Sequence, residues 1–233
     1  MKQLLFLLLL SLSFKVQAID NPMALIQVLN KKFAAVNDYK AQVHMKFDIP
    51  GVKMNTMNGT VIFKRPNKFR IRTKGIFFLP KQNPMQSIST MLLDTSAYTS
   101  IISGYEIVAG KNCAIVNIIP IKPMNELILG KFWIDIKNPL VLKSQITTKN
   151  NGTIETESTY STNANYTLPD KMLLKMETKK IKMSKLMSAD LNKKSKPKEV
   201  GNTLETGTIE LTFSNYKINT RIADSEFDKK DEE

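Results

Sequence analysis

The chain has 233 residues, a formal net charge of +13, one histidine and one cysteine. A single histidine rules out a metal site built from several histidines, and a single cysteine rules out an intramolecular disulfide. The nine glycines include no phosphate-binding loop motif, and no nucleic-acid-binding motif accompanies the basic charge, so neither a nucleotide nor a nucleic acid is expected as a partner.

The first 18 residues have the composition of a cleavable signal peptide. Lys2 supplies a positive start, residues 4–14 are apolar apart from serines, and Val16-Gln17-Ala18 places small residues before a cut. We therefore expect cleavage after Ala18 and export of residues 19–233 as a single domain. Because residue 19 is isoleucine, the mature chain lacks the acylated cysteine of a lipoprotein.

The mature chain opens with a predicted helix. Asn21 is a capping residue, and Pro22 occupies the first helical position, where its missing N–H costs nothing. An apolar stripe at helical spacing follows and predicts a helix that ends near residues 36–37. Its members are Leu25, Ile26, Leu29, Phe33 and Val36.

After this helix the apolar period changes from 3.6 to 2, which is typical of half-buried strands. Val43, Met45 and Phe47 alternate with polar residues. Residues 61–72 then read as a hairpin around a Pro-Asn turn. Its inward residues are Val61, Phe63, Phe69 and Ile71, whereas Lys68, Arg70 and Arg72 point to the other face.

Residues 84–93 interrupt the strands with a predicted amphipathic helix that carries Met85, Ile88, Met91 and Leu92. Strands resume near 105–108, 113–119, 127–136, 140–148, 153–161, 171–182 and 208–213. A lysine-rich segment near 183–203 is expected to be a flexible connection. The order of elements predicts an antiparallel, β-rich α+β domain.

Three stretches together resemble the periplasmic outer-membrane lipoprotein carrier family, which is LolA-like and includes LolB, MucB and RseB. They are the hairpin Val-Ile-Phe-Lys-Arg-Pro-Asn-Lys-Phe-Arg-Ile-Arg at 61–72, the strand Phe-Trp-Ile-Asp-Ile at 132–136, and the closing segment 213–227. The resemblance implies an incomplete barrel, or half-barrel, whose concave face is covered by helices.

The same resemblance implies a function. It predicts a monomeric periplasmic carrier that binds the acyl chains of lipoproteins, or a related lipid, and passes them toward the outer membrane without nucleotide hydrolysis. An inner-membrane donor and an outer-membrane acceptor would be its partners. The alternative within the family is a regulatory or sensor binding protein of the MucB and RseB type.

The candidate lipid-binding residues are apolar side chains on the predicted inner face of the strands and on the inserted helix. They are Val43, Met45, Phe47, Phe63, Phe69, Ile71, Phe78, Met85, Ile88, Met91, Trp133 and Met176. Carriers of this family latch their lid with a buried arginine, and the candidates for that role are Arg70 and Arg72.

No catalytic set assembles from the sequence. Nothing places Cys113 beside His44, and Cys113 lies in an apolar run typical of a buried small side chain. Glu155 and Glu157 share one face of a strand, which is the usual pattern of an exposed strand. An exported hydrolase is therefore the weakest hypothesis, and neither an enzyme nor a cofactor or metal is expected.

Overall fold

The computed structural model describes residues 21–50, 55–73, 91–122, 124, 127–149, 152–177 and 206–228. The predicted signal peptide, the lysine-rich segment near 183–203 and the candidates Phe78, Met85 and Ile88 lie outside these ranges. Among the described helices, none has the length and apolar character needed to cross a membrane.

The described residues form one long helix, a short helical segment at 91–93, ten strands and two short 3₁₀ turns. The long helix is α1 (Pro22–Ala34), and the turns are Ala164–Tyr166 and Asp224–Phe227, the second of which we call the C-terminal turn. The strands are β1 (Asp38–Asp48), β2 (Met57–Lys64), β3 (Lys68–Thr73), β4 (Tyr98–Val108), β5 (Lys111–Pro120), β6 (Leu127–Asp135), β7 (Val141–Thr148), β8 (Gly152–Thr159), β9 (Lys171–Glu177) and β10 (Thr206–Ile218).

All ten strands belong to a single antiparallel sheet in the order β3-β2-β1-β10-β9-β8-β7-β6-β5-β4. The end strands β3 and β4 do not pair with each other, so the sheet stays open. The predicted α+β incomplete barrel is therefore confirmed. The long ladder between β1 and β10 connects the first and last of the described strands.

Helix α1 forms where the sequence predicts it. The Asn21 side chain accepts a hydrogen bond of 2.9 Å from the Met23 backbone N–H, and Pro22 begins the helix. The helix ends at Ala34, slightly earlier than predicted. Val36 packs with strand residues instead of continuing the helical stripe.

The side chains of the sheet divide between two faces. We call the face on which α1 packs the inner face and the opposite face the outer face. On β1, buried Ala41, Val43 and Met45 point inward and alternate with exposed polar residues. The inner face of β1 therefore carries its apolar side chains, as the period of 2 predicts.

Two apolar clusters lie on the inner face. The helix cluster includes residues of α1 and consists of Leu25, Ile26, Leu29, Leu92, Tyr98, Ala114, Val116, Ile118, Phe132, Ile134 and Val141. The strand cluster consists of Val36, Tyr39, Ala41, Val43, Met45, Val61, Leu168, Met172, Leu174, Ile209 and Leu211. Within the described part of the chain, no α1 residue belongs to the strand cluster.

Two strands are longer than the sequence pattern predicts. Strand β4 begins at Tyr98, and its hairpin to β5 turns through Ala109 and Gly110, both with positive φ, as tight hairpin turns require. Strand β10 continues to Ile218 through a bulge at Asn215, where φ is 53°. Because of the extra residue, the rings of Phe213 and Tyr216, three positions apart, lie near each other, with their centres separated by 6.2 Å. The spacing of apolar residues in this part of the sequence therefore departs from the period of 2.

Candidate ligand-binding site

The structure brings together on the inner face most of the predicted lipid-binding residues that it describes. Their side chains belong to the strand cluster or pack against it, and they lie on β1, β2, β3 and β9. They are Val43, Met45, Phe47, Phe63, Phe69, Ile71 and Met176. These residues form one apolar wall, although their contact with a ligand remains a prediction.

Met91 lies on the same face but packs against the helix cluster. Its Sδ is 3.3 Å from the position that a Cβ on Gly130 would occupy, and the Phe132 ring is 2.8 Å from that position. The glycine therefore lets Met91 and Phe132 approach the sheet closely. Next to Met91, Leu92 is fully buried.

The segment around Leu92 is bound to both α1 and β4. The Leu92 carbonyl accepts hydrogen bonds from the Asn30 side-chain amide at 2.8 Å and from the Tyr98 hydroxyl at 3.0 Å. Burial, assisted by the charge of Asp94, raises the pKa of Tyr98 to about 12, so its hydroxyl stays a donor at neutral pH. The end of the predicted inserted helix is thus fixed over the inner face.

Trp133 is separated from the other candidates. It alternates with Phe132 and Ile134, which belong to the helix cluster, so its side chain lies on the outer face. Its indole N–H donates to Glu106 at 2.6 Å, and the Lys131 and Lys143 ammonium groups lie 4.7 and 5.0 Å from the centre of its ring. The sheet therefore separates Trp133 from the apolar residues on the inner face.

Arg65 makes a contact that sequence reasoning missed. From the turn between β2 and β3, its Nε donates to the Val36 carbonyl at 2.6 Å, and its terminal nitrogen donates to the Phe33 carbonyl. The Phe33 carbonyl belongs to the last turn of α1, and the Val36 carbonyl lies two residues beyond the helix. Carbonyls at this end of a helix need donors from outside its regular hydrogen bonds. Arg65 thus ties the helix that covers the helix cluster to the hairpin that lines the strand cluster.

The two latch candidates lie on the outer face, against the C-terminal turn. Arg70 donates to the Phe227 carbonyl at 2.5 Å, and Arg72 donates to the Glu226 carbonyl and approaches its carboxylate at 3.4 Å. A latch between either arginine and the predicted lid stays a prediction, because most of that lid lies outside the described residues. The contacts that the structure does describe show these arginines holding the C-terminal turn.

Two lysines of the same hairpin hold the C-terminal turn by its first residue. The ammonium groups of Lys64 and Lys68 lie 2.6 and 2.8 Å from the two carboxylate oxygens of Asp224. These hydrogen bonds, first from Lys64 and then from Lys68, lower the pKa of Asp224 to about 2. The carboxylate is therefore bound as an anion across the neutral range.

The attachment of the C-terminal turn should depend on acid. Because the pKa of Asp224 is lower in the folded state, this contact stabilises the turn above about pH 4, and the stabilisation is lost as the pH falls toward about 2. We expect the hydrogen-exchange protection factors of residues 224–228 to fall as the pH is lowered through that window. In Asp224→Asn the protection factors should already be lowered at pH 6, and equal protection in both proteins at pH 6 would contradict the assignment.

The described groups that could support catalysis are not brought together. Cys113 on β5 and His44 on β1 are separated by five strands of the sheet. Burial, assisted by the charge of Asp135, raises the pKa of the Cys113 thiol to about 11, which disfavours the nucleophilic thiolate. Glu155 contacts Lys143 and Lys175 on the outer face, as expected for an exposed strand.

The open sheet, its covering helix and its apolar inner face define a class of fold that also occurs in solved structures. A LolA superfamily protein from Nitrosomonas europaea is 9% identical, with a TM-score of 0.54, and the match covers 92% of this chain and 99% of that one. A domain from Vibrio parahaemolyticus named for outer membrane lipoprotein sorting is 11% identical, with a TM-score of 0.54, over 89% and 97%. A DUF1329 family protein from Desulfovibrio piger is 12% identical, with a TM-score of 0.52, over 89% and 97%.

No protein-family model matches the chain, and no curated protein matches it either. The structural matches nevertheless cover almost the whole of each neighbour. The chain shares the fold of these three structures, one of which is a LolA superfamily protein, as the resemblance of its three sequence motifs predicted.

Proposed function

We propose that this protein is a periplasmic carrier that holds the acyl chains of lipoproteins, or of a related lipid, against the inner face of its sheet. The observation that carries the proposal is the extent of that apolar face. It runs from the helix cluster under α1 to the strand cluster on β1, β2, β3, β9 and β10. Burying one methylene of a ligand contributes about 0.8 kcal/mol, so an acyl chain would gain enough to compete with a covering element.

The proposed carrier works by exchange and catalyses no reaction. Covering elements that lift from the inner face would admit acyl chains, and an acceptor of higher affinity near the outer membrane would remove them without nucleotide hydrolysis. An inner-membrane protein would act as donor, and the carrier itself would be a monomer. The separation of Cys113 from His44 supports a binding role over a hydrolytic one.

A charge introduced at Met91 tests the proposal. In Met91→Glu, a carboxylate would face the apolar surface at Gly130 and Phe132, which costs several kcal/mol while it stays buried. If Met91 covers a ligand site, its side chain can turn away while Leu92 keeps its contacts, and the fold is kept. We expect affinity for a fluorescent fatty acid to fall by at least about tenfold, with a melting temperature close to that of the wild type.

Leu93→Glu is the matched control, because Leu93 lies two residues away in the same short helical segment and is 42% exposed. It should change neither binding nor melting temperature. Unfolding of Met91→Glu would show that the segment is ordinary core. Full retention of binding in Met91→Glu, or no binding of the probe by the wild type, would overturn the proposed function.

A further inference from the structure

A polar break divides the apolar inner face where β7 pairs with β8. Ser144 and Thr156 lie directly opposite each other, and their side chains are 1% and 5% exposed. Phe132 flanks this pair on the side of the helix cluster and Leu174 flanks it on the side of the strand cluster. One cross-strand row therefore contains Val116, Phe132, Ser144, Thr156, Leu174, Ile209 and Phe47.

The Ser144 hydroxyl is buried without a hydrogen-bond partner among the described residues. The same two strands satisfy another hydroxyl pair, because Thr147 and Thr153 on the outer face bond each other at 2.9 Å. Ser144 makes no such bond with Thr156. A buried donor left in this state has lost its contact with water and gains free energy from any acceptor that reaches it.

The surroundings of Ser144 determine which acceptor fits. None of the residues in its cross-strand row is charged, so an ionised headgroup would lose its hydration there without gaining a counter-charge. A carbonyl oxygen is neutral and needs only a donor. Apolar clusters lie on both sides of the pair, which suits a ligand whose carbonyl is flanked by hydrocarbon.

We propose that Ser144 donates a hydrogen bond to an ester or amide carbonyl of the ligand, between hydrocarbon chains that lie on the helix cluster and the strand cluster. Thr156 forms the opposite side of this polar subsite. The inference rests on the proposed function and makes it more specific. The preferred ligands are acyl groups in ester or amide linkage, and hydrocarbon of the same size without a carbonyl binds less tightly.

The experiment compares two lipids that differ in the carbonyl alone. A diacylglycerol and the dialkylglycerol of equal chain length, which has ether linkages, would each displace diphenylhexatriene from the full mature chain. We expect the wild type to bind the diacylglycerol about 5- to 10-fold more tightly, the range expected for one neutral hydrogen bond. Ser144→Ala should lose most of that preference through weaker binding of the diacylglycerol, with unchanged affinity for diphenylhexatriene.

Thr147→Val is the matched control, since it removes a hydroxyl from the same strand on the outer face and should keep the preference. Equal affinity of the wild type for both lipids, or an unchanged preference in Ser144→Ala, would overturn the polar subsite while the proposed function stands. Failure of the wild type to bind diphenylhexatriene or either lipid would instead overturn the proposed function. If Ser144→Ala does not fold, the ester-to-ether ratio of the wild type and of Thr156→Val decides the question.

Discussion

Phe132→Ala should cost about 3–5 kcal/mol of unfolding free energy, the usual range when a fully buried phenylalanine is truncated in a core. Phe132 is 0% exposed and belongs to the helix cluster, where α1 packs on the sheet. Its ring also occupies the space above Gly130. Because Gly130 has no side chain, it cannot help to fill the cavity that alanine would leave. Urea denaturation followed by circular dichroism would measure the loss.

The control for this change is Ile128→Ala on the same strand. Ile128 is 51% exposed, and its truncation should cost less than about 1 kcal/mol. If Phe132→Ala cost no more than Ile128→Ala, the helix cluster would not be a packed core that holds α1 on the sheet.

Arg65→Met should free the C-terminal end of α1. The substitution removes both guanidinium hydrogen bonds to the carbonyls of Phe33 and Val36 while keeping much of the apolar stem. Hydrogen bonds from a charged donor contribute about 1.5–3 kcal/mol each, but these carbonyls can regain water, so we expect a net loss of about 2 kcal/mol. Such a loss would raise hydrogen-exchange rates in α1 about 30-fold.

Arg70→Met is the control that distinguishes loss of the Arg65 hydrogen bonds from loss of a positive charge in this hairpin. Arg70 belongs to the same hairpin but donates to Phe227, so its loss should increase exchange in the C-terminal turn and leave α1 protected. Equal protection of α1 in Arg65→Met and the wild type would show that the Arg65 hydrogen bonds do not hold the helix.

The sequence predicted best where one periodicity dominates. Val43, Met45 and Phe47 alternate with polar residues, so their common face followed directly from the period of 2. Strand β6 is different, because Phe132, Trp133 and Ile134 are all apolar and all buried. Periodicity cannot assign faces in such a run, and this is why Trp133 was grouped with residues from which the sheet separates it.

Contacts between distant turns and termini were not predictable in the same way. Arg65 occupies a turn, and nothing in its local sequence indicates that its partners are carbonyls in and just after the last turn of α1. Asp38 is buried and accepts hydrogen bonds from the backbone N–H groups of Thr220 and Arg221, the latter 183 positions along the chain. Only the pairing of β1 with β10 brings these groups together.

The position of β10 in the sheet determines when the sheet can finish folding. Strands β4 to β9 pair with their neighbours in the chain, and β1 to β3 do the same. Among the described strands, β10 alone joins these two sections, and it is the last to be synthesised. Until β10 has been synthesised, the strands made before it can form at most two separate sheets, each with an unpaired edge. The ladder between β1 and β10 closes a loop of most of the chain's length, which is a slow step in folding. The native sheet therefore cannot be completed before β10 has been made.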